Sequence, residues 1–311
     1  MNIKILQGNC IETLQKLDDK SINTCITSPP YWGLRNYNDE EKQLGMEDTP
    51  EEFVDNLVKV FREVKRVLRD DGTVWLNLGD SYSSGGRTTT TNQSLRGNKD
   101  YGVTRPKPSK GIKPKDLIGI PWRVALALQQ DGWYLRQDII WHKPNPMPES
   151  VKDRCTKAHE YIFLLSKNVK YYFDNEAIKE DSKYHGKDKR SDKGNIRYEG
   201  KRTSNKDTKA QQSFVTINPK KNKRSVWTIT TKPFKGAHFA TFPKDLIEPC
   251  VLAGCPEGGT VLDPFGGSGT TGIVAVNHDR HAVLCELNQE YIDLAKDRIN
   301  QEGGMFVDIT E

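Results

Sequence analysis

Asp263-Pro264-Phe265-Gly266-Gly267-Ser268-Gly269-Thr270-Thr271-Gly272 is the stretch on which the fold of this chain turns. An apolar strand, Thr260–Leu262, leads into it, and a helix over Thr270–Asn277 leads out. Gly267, Gly269 and Gly272 have the G-x-G-x-x-G spacing, in which glycines let the backbone approach a ligand and let a helix pack closely on a strand. The next strand, His281–Cys285, runs into Glu286, 19 residues after Gly267. A carboxylate there can accept the hydroxyl protons of a ribose. Strand, glycine turn, helix and acid-tipped strand together predict an α/β nucleoside-binding unit.

The same alternation extends toward the amino end. Ile3–Leu6 reads as a strand, Ile11–Leu17 as a short helix and Ile22–Thr27 as a strand. Thr49, Pro50 and Glu52 carry the signals of a capped helix start. Phe53, Leu57, Phe61, Val64 and Leu68 then recur along one helical face. Asp70-Asp71-Gly72 predicts the stop, before a strand over Thr73–Leu78. Further on come a helix at Pro121–Gln130 and strands at Tyr134–Trp141 and Tyr161–Leu165, with the proline-rich Lys143–Pro148 between them. Helices at Lys244–Leu252 and Gln289–Ile299 complete the pattern. It predicts a mostly parallel sheet with helices on both faces.

Two polar segments interrupt it. Residues 83–115 hold 8 Lys and Arg against 1 Asp or Glu, and residues 179–225 hold 15 against 6. The remainder holds 24 against 35, so the overall +5 hides an acidic body with two basic inserts. Such inserts suit a polyanion, because each Lys or Arg that meets a phosphate releases counterions. Both lack the apolar residues to order themselves alone and are expected to be mobile until bound. No apolar run is long enough for a membrane span and the start shows no signal layout, so the expected compartment is the cytoplasm. The six cysteines are scattered without a C-x-x-C pair, which predicts buried thiols and no metal site.

The glycine turn alone admits a nicotinamide dinucleotide or S-adenosylmethionine. Asp263-Pro264 favours the second: a carboxylate before the turn repels pyrophosphate and suits the ammonium of a methionine moiety. Phe265 and Tyr31 offer aromatic faces to a sulfonium cation. Ser28-Pro29-Pro30-Tyr31, followed by Trp32, comes directly after the strand Ile22–Thr27, where α/β sheets bind ligands. The two prolines hold the backbone extended, so the Ser28 hydroxyl and the Pro29 carbonyl can converge as acceptors. Acceptors for both protons of an amino group free its lone pair for a methyl group, and Tyr31 offers a surface for an extruded base.

Thr27-Ser28-Pro29-Pro30-Tyr31-Trp32 resembles motif IV of the DNA amino-methyltransferases, and Asp263–Gly269 resembles their motif I. The catalytic motif comes first and the cofactor motif near the end, as in the circularly permuted β class. Gln7-Gly8-Asn9-Cys10 resembles the amino-terminal cofactor segment, with Asn9 where Asp is more familiar. Trp141–Pro146 and His159-Glu160-Tyr161 resemble segments lining the base pocket, and His238–Pro243 resembles motif X. The resemblance implies a Rossmann-like S-adenosylmethionine-dependent methyltransferase fold. One domain would be formed by residues 1–178, with the insert 83–115, and by 226–311; residues 179–225 would recognise the target. It implies duplex DNA as substrate, a cognate restriction endonuclease as a partner, and no membrane. Ser28, Pro29, Pro30 and Tyr31 would be catalytic. Asn9, Cys10, Thr27, Phe239, Thr241, Phe242, Asp263, Pro264, Phe265, Gly267, Ser268, Gly269, Thr270 and Glu286 would bind the cofactor.

Ser at the head of the tetrapeptide goes in this family mostly with cytosine N4; Asp or Asn there goes mostly with adenine N6. The expectation is therefore a cytosine-N4 enzyme, with adenine N6 as the alternative. A carbon-5 enzyme would need a reactive cysteine after proline. Pro249-Cys250 lies instead within an apolar helix, where a thiol is inert. A nicotinamide-dependent oxidoreductase would leave Ser28–Trp32 and both basic inserts without a role. His142, His159 and His238 read as pocket or core residues, because the amino group becomes acidic once methylated and needs no strong base.

Overall fold

The computed structural model describes residues 1–33, 44–83, 112–182, 219–231, 242–303 and 307–310. In chain order the elements are β1 (Asn2–Gln7), α1 (Cys10–Leu14), β2 (Ile22–Thr27), α2 (Pro50–Val67), β3 (Leu68–Leu78), α3 (Ile120–Gln130), β4 (Tyr134–His142) and β5 (His159–Ser166). Then come β6 (Glu180–Asp181), β7 (Lys220–Lys221), β8 (Val226–Thr228), α4 (Lys244–Gly254), β9 (Thr260–Asp263), α5 (Thr270–Asn277), β10 (His281–Glu286), α6 (Gln289–Glu302) and β11 (Asp308–Thr310). The expected mobility and DNA contact of 83–115 and 179–225 fall mainly on residues outside the described ones.

Among the described residues, nine strands form one sheet in the order β11-β1-β10-β9-β2-β3-β5-β4-β8. Within that sheet the described β3/β5 and β5/β4 pairs are antiparallel and the rest parallel. The strands last in sequence, β9 and β10, lie in the interior of the sheet between β1 and β2. Alternate residues of β3 serve opposite faces. Val74, Leu76 and Leu78 join the core formed with Phe53, Leu57 and Phe61 of α2 and with Val124 and Leu128 of α3. On the other face Trp75 and Thr73 meet α4 at Gly254, where a Cβ would fall 2.6 Å from the Trp75 indole nitrogen. The sheet is thus covered on both sides, and no helix of the described residues is long and apolar enough to cross a membrane.

Thr49 caps α2 by accepting from the Glu52 N–H at 3.2 Å, an interaction of about 1 kcal/mol. The expected helix ran through Leu68 to Asp70-Asp71-Gly72, but α2 ends at Val67 and Leu68 is already extended. Leu68 pairs with Ile22 across the sheet, and the ladder then shifts register before Thr24 meets Thr73. A fully buried leucine fits a helix face or a strand equally well, and pairing with β2 decides between them. The short strands β8 and β11 at the two edges went unread, because three residues carry no period. Residues 175–224 form a compact unit separate from the rest of the chain. Its described residues contain the antiparallel pair β6/β7, with Arg224 bonded to Glu180 at 2.6 Å.

Candidate active site

Strand direction brings the motifs to one edge. The parallel strands β1, β10, β9, β2 and β3 end there in Gln7, Glu286, Asp263, Thr27 and Leu78. Because β5 runs the other way, it begins there with His159 and Glu160, and β4 ends beside it at His142. Ser28–Tyr31 and Asp263–Gly269 therefore open on the same edge from adjacent strands, as their positions after strands predict. The contact between them is direct: the Thr27 hydroxyl donates to Asp263 Oδ1 at 2.6 Å.

Asp263 is only 2% exposed. Its Oδ1 also accepts the Phe265 N–H at 3.1 Å, and its Oδ2 accepts the Thr271 hydroxyl at 2.6 Å. Burial pushes its carboxyl up to about 6, against the pull of these three donors. Glu286 is similarly committed. Oε2 accepts the Gly267 N–H at 2.8 Å, and Oε1 accepts the N–H groups of Leu287 and Asn288 at 2.9 and 3.0 Å. Burial raises the Glu286 carboxyl, and these donors oppose the rise. A carboxylate has about four acceptor positions, so roughly one remains for a ribose hydroxyl rather than the two expected.

Along Asp263–Thr270 only Phe265 and Gly267 are partly exposed. Gly267 has φ 50° and turns the chain so that its N–H meets Glu286. Gly269 has φ 77° and packs on α6, where a Cβ would lie 3.0 Å from that of Ala295. Pro264 is buried, and so are Ser268 and Thr270. The Ser268 carbonyl and hydroxyl and the Thr270 hydroxyl all accept from Arg298 of α6, at 2.6, 2.7 and 3.1 Å. Asn9 caps α1 by accepting the Ile11 N–H at 2.9 Å. Cys10 is buried in the first turn of α1, and desolvation raises its thiol to about 12. Phe242 lines a small cleft with Thr27, Asn77 and Ile247. Phe239 and Thr241 lie outside the described residues, as does His238.

Ser28 and Pro30 are partly exposed at the mouth of the edge, and Pro29 is buried. The Tyr31 ring lies against Gly79, where a Cβ would come within 2.7 Å of Tyr31 Cε2. Its hydroxyl donates to Glu160 Oε2 at 2.8 Å. The same oxygen accepts from Asn77 Nδ2 at 3.2 Å, and Glu160 Oε1 is paired with Lys143. Lys143 in turn sits 4.2 Å over the Trp141 ring. His142 Nδ1 is 3.1 Å from the Thr228 hydroxyl. His159 is held below its ordinary value, first by desolvation and then by the Lys157 charge. Cys250 is buried within α4, as the apolar run predicts. Among the described residues there is no group of His, Cys, Asp and Glu arranged to hold a metal ion.

Residues 22–297 match the family model described as DNA methylase, covering N6 and N4 methyltransferases. The chain belongs to that family. Over 297 residues it is 50% identical to the type II methyltransferase M.SmaI of Serratia marcescens, covering 95% of this chain and 90% of that one. Solved structures that share its fold include two methyltransferases. The cytosine-N4-specific PvuII DNA methyltransferase aligns at TM-score 0.63 and 20% identity, over 96% of this chain and 86% of that one. A provisionally assigned DNA modification methylase from Thermus thermophilus, complexed with S-adenosyl-L-methionine, aligns at 0.62 and 22% identity, over 100% and 98%. The DNA methylase family is one of S-adenosylmethionine-dependent enzymes with a Rossmann-like sheet, and this member methylates DNA at an amino nitrogen, cytosine N4 or adenine N6. Family membership excludes the nicotinamide-dependent oxidoreductase.

Several residues that shape the candidate site carried no local signal. Asn77 reads as an ordinary strand residue, Gly79 as a turn glycine and Arg298 as one charge on an amphipathic helix. Each acts through a partner distant in sequence, which no spacing rule reports.

Proposed function

We propose that this chain is a type II modification methyltransferase that methylates cytosine N4 in duplex DNA, the base being swung out of the helix. The observation that carries the reading is Ser28, a neutral hydroxyl at the end of β2, one residue from the Thr27–Asp263 bond. Its oxygen and the Pro29 carbonyl accept the two amino protons, and the Tyr31 ring stacks on the extruded base. A hydroxyl is shorter than a carboxylate or carboxamide, which sets a different depth between acceptor and ring and favours cytosine.

The residues present fit S-adenosylmethionine. Glu286 keeps an acceptor position for a ribose hydroxyl, Phe265 and Gly267 are the accessible part of the turn, and Asp263 supplies negative charge at the strand end. Asn9, Cys10, Thr27, Pro264, Gly269, Phe239, Thr241 and Phe242 complete the proposed cofactor site. Ser268 and Thr270 belong to it as the buried backing of the turn, since their hydroxyls are engaged by Arg298. When bound, the cofactor supplies an electrophilic methyl group. The chain's own residues orient the amino group toward it, which is mainly positioning and charge stabilisation. The basic unit around 179–225 recognises the target sequence, and a restriction endonuclease of the same specificity is the proposed partner. Cytoplasmic location follows from that role.

The test is nucleoside mass spectrometry of duplex DNA after reaction with cofactor labelled in its methyl group. Label in N4-methylcytosine is expected. Label only in N6-methyladenine would overturn the base assignment and leave the family and fold standing.

A further inference from the structure

Strand β2 fixes one end of the Ser28–Tyr31 segment, and the Thr27–Asp263 bond holds that end in place. The other end has a separate anchor at residues 44–47. The Gly33 N–H donates to the Gly45 carbonyl at 2.8 Å. Trp32 Nε1 donates to the Glu47 carbonyl at 2.9 Å. Gly45 lies directly behind the segment: its φ is 98°, and a Cβ there would fall 3.2 Å from the Tyr31 carbonyl oxygen and 3.4 Å from Pro30 Cβ. The Trp32 side chain is buried in the core that α2 also lines. Residues 44–47 thus back Pro30–Trp32.

The Glu47 carboxylate ties that backing to α2. Its Oε2 accepts the Gly45 N–H at 2.8 Å, and its Oε1 accepts from Asn56 Nδ2 at 3.0 Å. Lys59 donates to Asn56 Oδ1 at 3.0 Å, which turns the amide N–H toward Glu47. A carboxylate suits this joint because it accepts on both oxygens and its bonds to N–H groups are stronger than neutral ones.

We propose that Glu47 is a positioning residue for methyl transfer: by tying residues 44–47 to Asn56 of α2, it holds Tyr31 and its neighbours in register with the base. This rests on the catalytic role proposed for Ser28–Tyr31. Tyr31 is then set from two sides, its backbone against Gly45 and its hydroxyl on Glu160 Oε2 at 2.8 Å. Loss of the Glu47 tie frees the backbone side while the hydroxyl stays held, so the ring and the nearby Pro29 carbonyl shift relative to the amino group. A displacement of about 1 Å costs about 100-fold in rate. The carboxylate itself touches neither base nor cofactor in this role.

The test is single-turnover methylation of the duplex identified by modification mapping, at saturating cofactor. Glu47→Ala should slow the rate constant about 10- to 100-fold. Its affinity for S-adenosylmethionine by calorimetry should stay within about twofold of wild type, because the glycine turn takes its contacts from Glu286 and Arg298. Asn56→Asp alone should also be slow, since it sets two carboxylates face to face. Adding Glu47→Gln to Asn56→Asp exchanges carboxylate and amide. The glutamine oxygen then takes the Gly45 N–H, and its amide donates to the new carboxylate, which Lys59 still holds. This double variant should recover to within about threefold of the wild-type rate. Should Glu47→Ala fail to fold, the Asn56→Asp pair carries the same comparison.

A contribution to folding alone would lower the turnover amplitude and the cofactor stoichiometry together and leave the rate constant unchanged. That result would overturn the proposal, as would a wild-type rate in Glu47→Ala or an exchange that recovers nothing. Total label transferred is counted, so the outcome does not depend on whether cytosine or adenine carries it. Ser28→Ala tests the underlying reading: a slow Ser28→Ala beside a fast Glu47→Ala sinks the positioning role alone.

Discussion

The Thr27 hydroxyl and the Asp263 carboxylate meet at 2.6 Å, although 236 residues separate them in the chain. The bond ties the strand that carries the proposed catalytic tetrapeptide to the strand that carries the glycine turn. Both groups are buried, with Thr27 1% and Asp263 2% exposed, so water cannot replace either partner.

Thr27→Val keeps the shape and removes the donor. It should destabilise the fold by about 1–3 kcal/mol, the usual cost of leaving a buried acceptor short of a partner. Urea denaturation measures this directly. Thr27→Ser should recover most of the loss; a valine variant as stable as wild type would show that the bond contributes nothing net.

The Asp263 carboxyl titrates near 6 in the folded chain against an ordinary value of 3.8. The folded state therefore binds this proton more tightly than the unfolded one. Its contribution to stability falls as pH rises from about 4 to 6, by roughly 3 kcal/mol. Measured against Asp263→Asn, the wild type should lose relative stability over that window and level off above it. In the proposed cofactor site, binding of the cationic methionine end has the opposite sense, because it draws on the ionised carboxylate. Calorimetric affinity for S-adenosylmethionine should rise through pH 6 in wild type and stay flat through it in Asp263→Asn.

Arg298 holds the Ser268 carbonyl and hydroxyl and the Thr270 hydroxyl from behind the turn. Charge-assisted bonds of this kind are worth about 1.5–3 kcal/mol, so Arg298→Met should weaken cofactor binding roughly tenfold or more. Titration of cofactor and of DNA separately gives the check. DNA affinity should hold; equal loss of both would mean general unfolding rather than a slackened turn.

Replacing several lysines of 179–225 with glutamine should weaken DNA binding and flatten its dependence on salt. The log–log slope should fall by about one unit for each phosphate that is no longer neutralised. Filter binding across a salt series provides the slopes, and an unchanged slope would assign phosphate neutralisation to another surface.

Much of the candidate site's local structure was legible because its parts are local. Strand Ile22–Thr27 and helix Thr270–Asn277 match their expected bounds, since alternation, capping and glycine signals act over a few residues. Glu286 was legible from its spacing to Gly267, and the two are in contact. Its reduced capacity was not, because the N–H groups of Leu287 and Asn288 claim acceptor positions only once the strand-end turn has formed. Ser268, expected among the cofactor-binding residues, is likewise claimed by Arg298 only once α6 packs behind the turn.

The sequence by itself determined the order of the longer strands and helices, the glycine turn with its acid, and the rigid Ser28–Tyr31 segment, because each depends on chemistry within a short span. Only the tertiary structure decided that β9 lies beside β2 and that Glu160 lies under Tyr31. Strand order and direction set those neighbours, and they arise from the burial of whole faces rather than from any residue's own preference.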